Sequence, residues 1–163
     1  MYDPSSAIKG KQAVFEAHPD NAAVKALVDL ATDAKSDRDE LTITVARENI
    51  VSATQAIKQV GYNFLEDVTA VDWYPSEPRF QIVYSILSMS LKERLRLVVR
   101  LDGEDAALDS ITPVWPAANF YEREIFDLFG VHFGGHPNLR RIMMPEDWKG
   151  HPLRKDYPVE GYR

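Results

Sequence analysis

The sequence has no cysteine among its 163 residues. That excludes disulfide staples, a thiol nucleophile, thiolate zinc sites and iron–sulfur ligation by the chain's own sulfur. It also lacks any apolar run of the roughly 18 residues a membrane span needs, and residues 1–10 lack the basic start and apolar centre of a signal peptide. The expectation is a soluble chain, cytosolic or docked on something by its surface. Cations are in deficit. Nineteen Lys and Arg face 25 Asp and Glu, a formal charge of −6, so the field of the whole molecule repels nucleic acid and anionic lipid. Phosphate-loop and dinucleotide-binding glycine patterns are missing, and Ser85, Ser88, Ser90 and Ser110 have no elbow glycines around them. What remains is a 45% hydrophobic chain of one-domain length, able to bury a sizeable core.

Its charge is unevenly spread: residues 1–137 carry a net −8 and residues 138–163 a net +2. Residues 1–20 show no periodicity and read as a loose N-terminal arm. Ala23, Val24, Leu27, Val28, Leu30 and Ala31 repeat at helical spacing, and the polar stretch 35–40 closes that helix. Leu41, Ile43 and Val45 alternate with threonines as a half-buried strand does. A second helix is expected over 47–60, with Gly61 as its C-terminal cap. Strands are predicted at 68–73, 80–88, 91–102 and 108–112, with Leu95, Leu97, Val99 and Leu101 on one face and Arg94, Arg96 and Arg100 on the other. Pro116 suits a first helical position, so 117–129 reads as a helix stopped by Gly130. The order predicts a two-layer α+β domain, helices on one face of a mostly antiparallel mixed sheet. The body spans 21–130. Beyond it, proline and glycine break every regular pattern, and 131–163 reads as an irregular, extended docking tail.

The densest chemistry lies at 122–130. Glu122, Arg123, Glu124 and Asp127 share one stretch of helix, with Arg123 and Asp127 a turn apart. They form either an acid–base pair, with Glu124 or Asp127 as the base, or a structural cluster whose charges pair with one another or with a basic tail. His132 and His136 are four apart, but the surrounding glycines and Pro137 deny them the helix that would bring two imidazoles to one metal; histidines in turns, bonded to backbone, fit better. The tail repeats itself: Gly135, His136, Pro137, Leu139, Arg140 and Arg141 are echoed by Gly150, His151, Pro152, Leu153, Arg154 and Lys155. Each copy is a turn, a leucine anchor and a basic pair, suited to clamp onto an acidic surface, its own helix or a neighbour's.

These residues also carry a family likeness. Glu122, Arg123, Glu124, Asp127, Leu128 and Phe129, then His136, Arg140, Ile142 and Met143, resemble in type and spacing the signature of the C subunit of NADH-quinone oxidoreductase, respiratory complex I. The run from Asp147 and Trp148 through Asp156, Tyr157 and Pro158 is similar to that family's C-terminal segment. The likeness is strong over 68–158 and loose back to Leu41. It implies a peripheral-arm member of a proton-translocating complex that uses NADH, flavin, iron–sulfur clusters and quinone. Proteins of this family bind none of these and have no catalytic residue. They pack against the quinone-site and terminal iron–sulfur subunits, touch the membrane only indirectly, and lie on the cytoplasmic side of the inner membrane. Trp148, His151, Arg154, Lys155, Asp156 and Tyr157 would join Arg140 and Arg141 as interface residues. Relatives in membrane-bound hydrogenases and ferredoxin-fed complexes share the motifs, so an equivalent role there is the alternative, with a small free enzyme as the third.

Overall fold

The computed structural model describes residues 7–38 and 40–161. Six strands make one sheet: β1 (Ile8–Lys9), β2 (Ala31–Asp37), β3 (Glu40–Val45), β4 (Phe64–Asp72), β5 (Phe80–Ser88) and β6 (Glu93–Leu101). Their spatial order is β1-β2-β3-β6-β5-β4, and all neighbours are antiparallel except β3 and β6. The register aligns Ile43, Leu97, Tyr84 and Val68 in a row across four strands, all within 2% of full burial. One residue over, Thr42, Arg96, Ser85 and Asp67 form a polar row on the opposite face, the period of two applied to a sheet with one covered side.

Four helices contribute to the same core as the apolar row: α1 (Lys11–Ala17), α2 (Ala22–Leu27), α3 (Ile50–Gln59) and α4 (Ala118–Phe129). Asn21 starts α2 by accepting the backbone N–H groups of Ala23 and Val24 at 2.9 and 3.1 Å. Gly130, at φ 72°, takes the left-handed conformation that ends α4 and turns the chain away. A second, two-stranded parallel sheet joins β7 (Ala107–Asp109) to β8 (His132–Gly134) just beyond that turn.

The mixed α+β architecture agrees with the sequence pattern, but several boundaries differ. The expected loose arm is structured wherever it is described: β1 pairs with β2, and α1 buries Val14 completely. Seven-residue helices are too short to show a period. The helix expected through Ala31 stops at Leu27, and of the polar stretch meant to close it Glu40 opens β3 and Lys35, Ser36 and Asp37 belong to β2. Its Ala31, Ala34 and Ser36 are small inward residues, and a register shift between Ala31 and Asp33 hides the alternation. The helix expected from 47 opens as a 3-10 turn, Arg47–Asn49, before α3. The strand placed at 68–73 begins at Phe64, and that placed at 108–112 covers Ala107–Asp109. Helix α4 starts two residues after Pro116, which therefore sits in the preceding turn. Among the described residues the tail carries one regular element, β8.

Candidate functional site

Helix α4 turns Ala118, Glu122 and Ile125 toward the core, whereas Arg123 and Asp127 lie on the adjoining stripe, where the tail runs back along the helix. Of the two pairings expected of the helix's charges, with one another or with the basic tail, Arg123 and Asp127 make the second: both reach out to the tail. Asp127 is fully buried. Its Oδ2 accepts three consecutive backbone N–H groups, from Ile142 at 2.9 Å, Met143 at 2.7 Å and Met144 at 2.8 Å, and its Oδ1 accepts Arg141 Nη1 at 2.6 Å. Successive amides aimed at one oxygen form an anion nest. Burial alone would push this carboxyl up; the backbone donors and Arg141 outweigh it and hold the group below the ordinary aspartate value.

The tail also satisfies the end of α4. Arg141 Nη2 donates to the carbonyls of Trp148 and Gly150 at 3.0 and 3.1 Å. His151 Nδ1 lies 2.9 Å from the Asp127 carbonyl, which can only accept, so that nitrogen carries the proton. Leu153 N donates to Leu128 O at 3.1 Å, and Arg154 Nε to Phe129 O. The Asp127, Leu128 and Phe129 carbonyls are ones that a helix end leaves without partners. Arg123 donates to the carbonyls of Arg140 and Arg141, both at 3.2 Å. The clamp expected of the echoed basic pairs is thus closed on the chain's own helix, with Arg141 on a carboxylate and Arg154 on carbonyls. Glu124 is exposed, Arg140 and Trp148 contribute their carbonyls, and Tyr157 donates its hydroxyl to Lys149 O at 3.3 Å.

A second staple was not legible in the sequence. Asp72, at the end of β4, accepts Arg79 Nε and Nη2 at 2.9 Å each, and the backbone N–H groups of Tyr74 and Lys155, also at 2.9 Å. Arg79 then grips Asp156 through Nη2 at 2.6 Å and Nη1 at 3.0 Å. Its guanidinium lies 5.0 Å from the Tyr74 ring and 4.9 Å from that of Phe80. Burial works to raise the Asp72 carboxyl, but Arg79 and the two amides bring it down to about 2. Of the predicted residues, Lys155 acts here through its backbone and Asp156 through its carboxylate. Separations of 77 and 83 residues hide the pairing; only an aspartate ending a strand and an arginine opening the next hint at it.

Glu122 faces inward and belongs to a third cluster. Its side chain is fully buried; Oε2 accepts Ser110 Oγ at 2.6 Å and Oε1 accepts Ile111 N at 2.8 Å. Burial pushes its carboxyl up to about 7, against the pull of those two donors. His136 Nε2 sits 3.9 Å from Oε2 but donates to Asn119 O at 3.2 Å, while Nδ1 accepts Asn138 N at 3.0 Å. That bonding fixes His136 as a neutral ring, and burial lowers its proton affinity. His136 and His151 therefore bond to backbone, as their turn contexts predict. His132 is exposed on β8, and among the described residues no group of three or more His, Asp or Glu could hold a metal ion. A cleft of about 800 Å3 lies between the β2–β3 and β5–β6 turns and is lined by none of these residues. No helix among the described residues is long and apolar enough to cross a membrane.

Comparison with known proteins gives a consistent result. The sequence model of the family described as respiratory-chain NADH dehydrogenase, 30 Kd subunit, matches residues 43–163. The C subunit of NADH-quinone oxidoreductase from Geobacter sulfurreducens is 49% identical over 131 residues, covering 79% of this chain and 81% of that protein. Its counterpart from Trichlorobacter lovleyi is 41% identical over 163 residues, 99% of this chain and 93% of its own length. Among solved structures, a trypsin-resistant fragment (1-134) of Nqo5 superposes with a TM-score of 0.58 at 35% identity, covering 61% of this chain and 83% of the fragment. A chain of the membrane-bound sulfane sulfur reductase, an archaeal respiratory membrane complex, superposes with a TM-score of 0.73 at 27% identity, covering 83% and 82%.

Proposed function

The chain belongs to the respiratory-chain NADH dehydrogenase 30 Kd subunit family, and from that premise we propose that it is a non-catalytic, cofactor-free subunit that holds cofactor-bearing neighbours in register. It is a subunit of NADH-quinone oxidoreductase, and other subunits of that complex are its partners. The finer reading places it in the peripheral arm against the iron–sulfur and quinone-site subunits, at the cytoplasmic side of the inner membrane. The observation that carries it is the state of Asp127: a general base needs a free lone pair and reach to a substrate, and this carboxylate is sealed under four donors. Glu124 is exposed and lines none of the larger clefts. Such groups are suited to rigidity, and a rigid body suits a subunit that sets the spacing of others.

A second reading, the equivalent place in a different respiratory complex, is favoured by the likeness to the sulfane sulfur reductase chain. Co-purification in mild detergent separates the two. Flavin- and NADH-binding partners are expected; a partner set without them supports the second reading. In the purified complex, Glu124→Gln should leave both assembly and NADH-driven quinone reduction unchanged. Loss of turnover with assembly intact would overturn the non-catalytic assignment.

A further inference from the structure

Glu122 is the one fully buried carboxylate of α4 with no cation bonded to it. From the segment after β7 come Ser110 Oγ and Ile111 N, with Thr112 Oγ1 bonded to Ser110 at 2.8 Å. From β5 comes Tyr84, whose hydroxyl is buried without a hydrogen-bond partner. The inward residues of β4 are Leu65, Val68, Ala70 and Asp72, the last already held by Arg79. Arg123, next on the helix, spends its guanidinium on the carbonyls of Arg140 and Arg141. From the tail comes His136, 3.9 Å away and also fully buried. His136 can take a second proton only at Nδ1, the atom that accepts the Asn138 amide and closes the turn at the root of the tail.

We propose that Glu122 and His136 form a proton-operated latch: one proton on the Glu122 carboxyl keeps the turn at 136–138 seated on α4, and its loss to solvent unseats that turn. With the proton on Glu122, the pair is neutral and each remaining hydrogen bond in the cluster is made by neutral groups. Once the proton leaves, a carboxylate stands buried against a neutral imidazole and an unpartnered phenol, with no cation to balance it. Relief comes by admitting water at the seam or by turning the His136 N–H from Asn119 O toward Glu122. Turning the ring breaks the His136–Asn119 bond that seats the tail root on α4, and water at the seam competes for it. The raised carboxyl of Glu122 places the change near neutral pH, and the lowered imidazole of His136 keeps that ring neutral through it. This goes beyond the assembly role and does not depend on it.

The test is amide hydrogen exchange of the full chain over residues 135–141 at pH 6 and pH 8.5, corrected for intrinsic rates. Protection is expected to fall at least tenfold in the unsubstituted chain and by less than twofold in Glu122→Gln, which cannot ionise, keeps the acceptor for Ile111 N and donates to Ser110 Oγ in place of accepting from it. Equal losses in the two proteins, or no loss in either, overturn the latch. If Glu122→Gln does not fold, the carboxyl carbon shift of Glu122 in the unsubstituted chain replaces it. A midpoint near neutrality that coincides with opening of the turn supports the proposal; titration below pH 5, or opening at a different midpoint, overturns it.

Discussion

A carboxylate taken out of water must be met by donors, and the molecule handles three of them in different ways. Asp127 is met by three amides and a guanidinium, Asp72 by two amides and a bidentate guanidinium, and Glu122 by one hydroxyl and one amide. The first two remain ionised and the third holds a proton near neutrality, so similar burial produces opposite chemistry. Asp127→Ala leaves Arg141 and three amides facing an empty space. Breaking a buried pair of this kind costs about 3–5 kcal/mol, and chemical denaturation should register that loss; a change below about 1 kcal/mol would mean that water replaces the nest without penalty. The cluster at 122–127 was legible as a concentration of charge, either an acid–base pair or a structural cluster. Its partners were not. Main-chain N–H groups, which carry no residue identity, supply three of the four bonds to Asp127.

At the scale of elements, the tail and α4 complete each other. The helix end offers bare carbonyls and the tail offers Arg141, His151, Leu153 N and Arg154; neither surface is satisfied alone. The seam is close: a Cβ at Gly130 would lie 2.5 Å from His151 Cδ2 and 2.6 Å from Arg154 Nη2, so glycine is required there by space as well as by φ. Truncation after Pro137 should leave the sheet folded, because its core row contains no tail residue, while the last turn of α4 frays. Exchange of the α4 amides at 126–129 should then speed up while those of β5 stay protected; loss of protection throughout would show that the tail is part of the folding unit. Strands β3, β5 and β6 were legible because their apolar residues alternate. Strand β2 was not, since alanine and serine occupy its inward positions and its order comes from pairing with β1 and β3.

Across the whole molecule, opposing proton linkages shape stability. Asp72 and Asp127 have depressed carboxyls, so their contribution is present above the ordinary 3.8 and is lost as the pH falls below it. His136 and His151 are lowered from 6.5, so folding gains as the pH rises toward that value. Glu122 runs the other way. Raised from 4.5 to about 7, it keeps a proton that the unfolded chain has released, so its contribution declines with rising pH across that window and is flat beyond it. Urea denaturation at a series of pH values should therefore show Glu122→Gln gaining on the unsubstituted chain between those two values, by at most about 1.4 kcal/mol per pH unit. A constant difference would mean that Glu122 titrates alike in both states. The second staple has a consequence in time. Asp72 and the Lys155 amide that caps it are separated by 83 residues, a gap that ribosomal synthesis at about 5–20 residues per second crosses in roughly 4–17 s. The β4–β5 hairpin, complete at Ser88, exists for most of that interval with Asp72 and Arg79 but without Lys155 and Asp156, so it can form before its ionic closure is available.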